Sequence, residues 1–132
     1  LQHNTLFIVN DDVNLCKKIG ADGVHLGQND VDVPSARSLL GEKYIIGVSC
    51  YNNIELAIEA EKNGANYIAL GAVFKSKTKP NAAYCSLSTI QNIKSNINIP
   101  IVGIGGITFE NQQSVLDAGC KSIAMIEDLF GH

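Results

Sequence analysis

The chain lacks any run of five or more basic residues, and its 10 Lys and Arg stand against 13 Asp and Glu, a net charge of −3. Nucleic-acid and anionic-membrane surfaces need the opposite balance, so neither partner is expected. No apolar run approaches the ~18 residues of a membrane span, and no signal-peptide pattern is present. No C-x-x-C pair occurs among Cys16, Cys50, Cys85 and Cys120, which stand more than thirty residues apart. A metal knuckle or redox motif is therefore unsupported, and reduced thiols in a cytoplasmic protein are the expectation. A Ser/His/Asp or Cys/His nucleophile set is also missing. What the 132 residues do contain is a 45% apolar share, enough for the core of one domain spanning 1–132.

Six short apolar runs recur along the chain: Leu6–Val9, Gly23–Leu26, Tyr44–Val48, Tyr67–Leu70, Ile101–Ile104 and Ser122–Ile126. Apolar throughout or nearly so, they read as parallel strands buried on both faces. Helical spacing fills the intervals. Ile54, Ala57, Ile58 and Glu61 follow i, i+3, i+4, i+7, and Val115, Leu116 and Ala118 repeat the pattern. The segments "GADGVHLGQ" from Gly20, "GANYIALGA" from Gly64 and "AGCKSIAMI" from Ala118 form a repeat. Each places a glycine where a helix ends and then starts a strand, because glycine accepts the left-handed conformation there. The fold class is α/β, either a (β/α) barrel or a doubly wound sheet. Polar and glycine-rich motifs after nearly every strand favour the barrel, whose strand ends share one face. A closed barrel has eight strands and ~250 residues, so six strands suggest a partial TIM (β/α)8 barrel.

The strand ends carry the chemistry. "FIVNDD" brings Asn10, Asp11 and Asp12 after the first strand, and "HLGQND" brings Gln28 and Asp30 after the second. Carboxylates from adjacent strands can converge on Mg²⁺, a cation that prefers hard oxygen ligands. The alternative is that Asp12 and Asp30 only cap helices. Ser49 ends the third strand as a ligand or as a cap or turn residue. The longest strand-to-strand interval runs from Tyr67 to Ile101 and holds "VFKSKTKPNAAYCS". Its Lys75, Lys77 and Lys79, with Ser76 and Thr78 between, suit phosphate oxygens, or form a solvated charged loop. Gly105 and Gly106 allow backbone N–H groups to approach an anion. Ile126 and Glu127 end the last run, and the Glu127 charge would repel a phosphate. His25, inside the second strand, reads as a hydrogen-bonded core histidine rather than a catalyst.

Taken together, "NDDV", "GADGVHLGQND", "IIGVSC", "GANYIALGAVFKSKTKP", "IPIVGIGGIT" and "GCKSIAMI" resemble the thiamine phosphate synthase family, in order along the whole chain. The resemblance implies a (β/α)8 barrel, of which this chain would supply strands 3 to 8 in about six β-α units, its N-terminal part incomplete. It implies a Mg²⁺-dependent transferase that joins hydroxymethylpyrimidine diphosphate to thiazole phosphate and releases diphosphate by a dissociative route. Asn10 would contact the pyrimidine diphosphate. Asp11 and Asp30 would ligate Mg²⁺. Ser49 and Lys79 would hold the diphosphate. Ser76, Thr78, Gly106 and the Ile126–Glu127 pair would lie at the thiazole phosphate. Ser76 stands where the family usually has Thr, and Glu127 where it usually has Ser. The family's Gln-Leu-Arg-x-Lys diphosphate segment has no match, so little turnover is expected of this chain alone. An open parallel edge would favour a homo-oligomer or a complementing strand. The alternatives are a partial barrel that only binds a phosphorylated small molecule, and a thiazole tautomerase-like protein. The tautomerases' catalytic His is unmatched, since Cys50 and Tyr51 follow Ser49.

Overall fold

Every apolar run named above contributes one strand. The structure, a computed structural model, describes residues 7–71, 73, 85–104, 112–120 and 122–124. Strands β1 (Ile8–Asn10), β2 (Gly23–Leu26), β3 (Ile45–Tyr51), β4 (Tyr67–Leu70), β5 (Ile101–Ile104) and β6 (Ser122–Ala124) alternate with five helices. These are α1 (Val13–Ile19), α2 (Val33–Leu40), α3 (Ile54–Lys62), α4 (Leu87–Lys94) and α5 (Gln112–Ala118). The sheet order is β1-β2-β3-β4-β5-β6, and all five pairings are parallel. Each strand therefore neighbours the next in sequence, with none of the order reversal that defines a doubly wound sheet.

The two faces of the sheet differ. Val24, Leu26, Ile46, Ile68, Leu70 and Ile101 are at most 1% exposed and form one cluster with Cys16, Ala36, Ala57, Ile90, Ile93 and Val115 from the helices. Each such aliphatic side chain contributes roughly 1.5–3 kcal/mol, which offsets the ordering of its own backbone. On the other face Ala69 is buried, but His25, Ser49, Tyr67, Val102 and Ile104 are only half-buried. Burial on both faces, the expectation from unbroken apolar runs, is thus complete on the helix side alone. Within α3 the buried stripe is Ala57 and Ala60, while Ile58 is 44% exposed. The stripe follows i, i+3 from Ala57, so Ile58, four residues after Ile54, turns to solvent.

The helix ends are set by local chemistry. Asp12, Asp32, Asn53 and Ser86 cap α1 to α4, each side chain accepting from the backbone N–H three residues on. The glycines of the three repeats lie at φ +69 (Gly20), +97 (Gly64) and +128 (Gly119), where a side chain would be strained.

The N-terminal ends of the strands are fastened by polar anchors. Arg37 of α2 donates to the Tyr44 carbonyl at 2.6 Å, the Gly41 and Gly64 carbonyls at 3.1 Å, and Asn66 Oδ1 at 2.8 Å. Asn66 Oδ1 also accepts from the Ile46 N–H at 2.7 Å. Asp22 joins β1 to β3: its carboxylate accepts from Phe7 N–H at 2.7 Å and its carbonyl from Ile45 N–H at 3.0 Å. The opposite, C-terminal ends carry the residues singled out for chemistry.

Candidate functional site at the strand ends

Strand register builds the site. Asn10 pairs with His25, His25 with Gly47, and Gly47 with Tyr67. Residues in register on adjacent strands point to the same face, so these four form one row across β1 to β4. Gly47 has no side chain, and the Tyr67 ring lies in the space it leaves. A Cβ there would overlap the ring carbons of Tyr67. The tyrosine thus crosses β3 and reaches the histidine on β2.

The outcome is a three-member hydrogen-bond chain. His25 Nδ1 lies 2.7 Å from the Tyr67 hydroxyl, and His25 Nε2 lies 2.7 Å from Ser49 Oγ. The His25 and Tyr67 rings also stack, with centroids 5.5 Å apart. Burial lowers the imidazole pKa, against a smaller opposing pull from the Asp30 charge, so the ring is neutral near pH 7. Burial pushes the Tyr67 phenol up to about 12, which keeps its proton in place. His25 is therefore the hydrogen-bonded histidine that its strand position suggested. Ser49 is neither a cap nor a turn residue: it lies within β3, next to a register shift between Ser49 and Tyr51. Gln28 Nε2 donates to its carbonyl at 2.7 Å, which fixes the backbone from the neighbouring strand end.

The carboxylates part company. Asp12 accepts from the Leu15 N–H at 2.9 Å and starts α1. Asp30 does not cap α2, because Asp32 does so by accepting from Ser35 N–H at 2.8 Å. The Asp30 carboxylate instead accepts from the Gly27 N–H at 2.6 Å and closes the turn that follows β2. Asp11 is exposed, in the left-handed region at φ +52, and its N–H donates to the His25 carbonyl at 2.8 Å. No other described residue bonds its carboxylate. Asp11 thus lies against the backbone of the residue on which Asp30 also acts. Two exposed carboxylates at adjacent strand ends, one bound only by a backbone N–H, suit a hard divalent cation. Among the described residues, no cluster of three or more His, Cys, Asp or Glu could hold a metal by itself. Such a cation would need waters or substrate oxygens to complete its shell.

Tyr51 is the second non-glycine residue in left-handed backbone, at φ +57. Its hydroxyl lies close to Gly27, near the Asp30 turn. Backbone strain of this kind costs roughly 1–3 kcal/mol and tends to persist at functional sites. Here both cases fall at C-terminal strand ends. Sequence reasoning named Asn10, Asp11, Asp30 and Ser49 but missed Gly47, Tyr51 and Tyr67. Gly47 and Tyr67 become visible only when the strands are set in register. Lys79, Ser76, Thr78, Gly106, Ile126 and Glu127 lie outside the described residues.

A shallow cleft between α2 and α3, lined by Leu26, Val33, Leu56, Ala60 and Asp30, opens on the helix-covered side and includes none of Asn10, His25, Ser49 or Tyr67. All four cysteines are buried and free. Burial pushes the Cys50 thiol up to about 12 and those of Cys85 and Cys120 to about 11, so none of these three is a thiolate nucleophile at neutral pH. Among the described residues, no helix is long and apolar enough to cross a membrane.

Comparison with known proteins agrees with this layout. A family model described as thiamine monophosphate synthase matches residues 1–129. The thiamine-phosphate synthase of Nitrosococcus oceani is 50% identical over 129 residues, 98% of this chain and 59% of the relative. That of Chromobacterium violaceum is 50% identical over 128 residues, 97% of this chain and 61% of the relative. A thiamine phosphate pyrophosphorylase from Pyrococcus furiosus superposes with a TM-score of 0.85 at 37% identity, over 98% of this chain and 61% of that one. FabK from Thermotoga maritima, with a TM-score of 0.71 at 17% identity, shares the fold alone, over 92% of this chain and 41% of that one. The chain spans about three fifths of the length of these curated relatives. On the match over nearly its whole length, the chain belongs to the thiamine monophosphate synthase family.

Proposed function

We propose that this chain carries the larger part of a transferase site that joins hydroxymethylpyrimidine diphosphate to thiazole phosphate, giving thiamine phosphate and diphosphate. The observation that carries the reading is the gathering of Asn10, Asp11, Asp30 and Ser49 at neighbouring parallel strand ends of a chain in this family. The singly wound sheet would be six eighths of a (β/α)8 barrel, with the site at its C-terminal face.

In this reading Asp11 and Asp30 hold Mg²⁺, which supplies charge neutralisation to a leaving diphosphate. Asn10 orients the pyrimidine diphosphate. Ser49 donates a hydrogen bond to the departing oxygens, and Lys79 adds a positive charge. Ser76, Thr78 and Gly106 bind the thiazole phosphate, beside Ile126 and Glu127. A dissociative step asks the protein for positioning and stabilisation of developing charge. The His25–Tyr67–Ser49 chain offers a fixed polar array that suits that demand.

The test compares this chain with the same chain extended at its N-terminus by the first two β-α units of a curated relative. Both are given the two phosphorylated precursors with and without Mg²⁺. The extended protein is expected to form thiamine phosphate only with Mg²⁺, and Asp11→Asn to lower its rate about 10²-fold or more. No product from the extended protein, or a rate indifferent to Asp11→Asn, would contradict the reading.

A further inference from the structure

The row His25–Gly47–Tyr67 fixes more than a side-chain position. A neutral imidazole has one donor nitrogen and one acceptor nitrogen, so the hydrogen bond made by one decides what the other offers. His25 has Tyr67 on Nδ1 and Ser49 on Nε2, both at 2.7 Å. Two arrangements are open. In one, Nδ1–H donates to the phenol and Nε2 accepts the Ser49 proton, making serine a base-assisted nucleophile. In the other, the phenol donates to Nδ1, and Nε2–H donates to Ser49 Oγ.

A phenol is a more acidic donor than an imidazole N–H, and an imidazole nitrogen is a better acceptor than a phenol oxygen. The second arrangement joins the stronger donor to the stronger acceptor. Among the described residues, His25 Nδ1 is the partner recorded for the Tyr67 hydroxyl. We infer that Tyr67, seated over Gly47, is a positioning residue that locks His25 in its Nε2-protonated tautomer, so that the Ser49 hydroxyl hydrogen is free to be donated to an anionic substrate oxygen. The arrangement turns a Ser–His contact that looks like a nucleophile pair into a donor aimed at a leaving group. No proton leaves Ser49 and no covalent bond forms to it. The identity of the anion as a diphosphate rests on the proposed function; the tautomer does not.

The test is long-range ¹H–¹⁵N NMR on ¹⁵N-histidine-labelled protein near neutral pH, with the His25 signals assigned by His25→Gln. The expected wild-type pattern is a protonated Nε2 and a bare, hydrogen-bonded Nδ1. In Tyr67→Phe, which keeps the ring over Gly47, the expected pattern is a mixture of both tautomers. A wild-type ring protonated at Nδ1, or an unchanged tautomer in Tyr67→Phe, would overturn the inference. A second arm titrates inorganic diphosphate with Mg²⁺. Tyr67→Phe and Ser49→Ala are each expected to weaken binding about 10-fold, and the double variant no more than either alone. Additive losses would overturn the coupling of Tyr67 to Ser49. Failure of the wild-type chain to bind diphosphate would count against the proposed function and leave the tautomer result standing.

Discussion

His25 reaches Tyr67 because Gly47 leaves room between them. That one missing side chain decides the chemistry of its neighbours. The burial that lowers the His25 pKa also gives a stability signature. The folded chain holds the ring neutral, while the unfolded chain binds a proton below the ordinary value of 6.5. The unfolded state then carries more bound protons, so stability rises with pH across this window and is lost as pH falls below it. Urea unfolding at about pH 7.5 and about pH 5.5 should show a loss of at most about 1.4 kcal/mol assignable to His25. His25→Gln should remove that component; an unchanged pH dependence in the variant would contradict it. At this scale the sequence was partly legible. Asp12 read correctly as a helix start because capping is local. For Asp30, expected as a metal ligand with a helix cap as the alternative, the cap falls away, because Asp32, two residues on, takes it. Tyr67 was invisible, because its partner is 42 residues away.

Elements were the most legible scale. Short apolar runs became strands, and the repeat glycines fell where helices end, because both signals lie within a few residues of each other. Boundaries moved where tertiary pairing outweighed the apolar pattern. β3 extends through Ser49 and Cys50 to Tyr51, since Gly71 N–H donates to the Tyr51 carbonyl at 3.0 Å. The joint between α2 and the starts of β3 and β4 was not legible at all. It depends on Arg37, an unremarkable helix cation in the sequence, which spans four acceptors in the fold. Arg37→Ala should lower unfolding free energy by about 1–3 kcal/mol, because it strands carbonyls at a half-buried joint. Denaturant unfolding measures it, and a change under about 0.5 kcal/mol would show that water replaces the guanidinium freely.

For the whole molecule, the division of labour follows strand direction. One end of the sheet is fastened by Asp22, Arg37 and Asn66; the other carries Asn10, Asp11, Asp30 and Ser49. The sequence showed the functional end through the polar residues after each strand. Spacing alone left Asp30 open between a metal ligand and a helix cap, because a cap depends on which backbone N–H the carboxylate meets. The central proposal is that Asp11 and Asp30 would together hold a divalent cation, which would neutralise charge on a bound diphosphate. Isothermal titration of inorganic diphosphate into this chain, with and without Mg²⁺, tests it most directly. The account predicts binding that requires Mg²⁺ and is lost when Asp11→Asn and Asp30→Asn are combined. Binding of equal strength without Mg²⁺, or in the double variant, would contradict it.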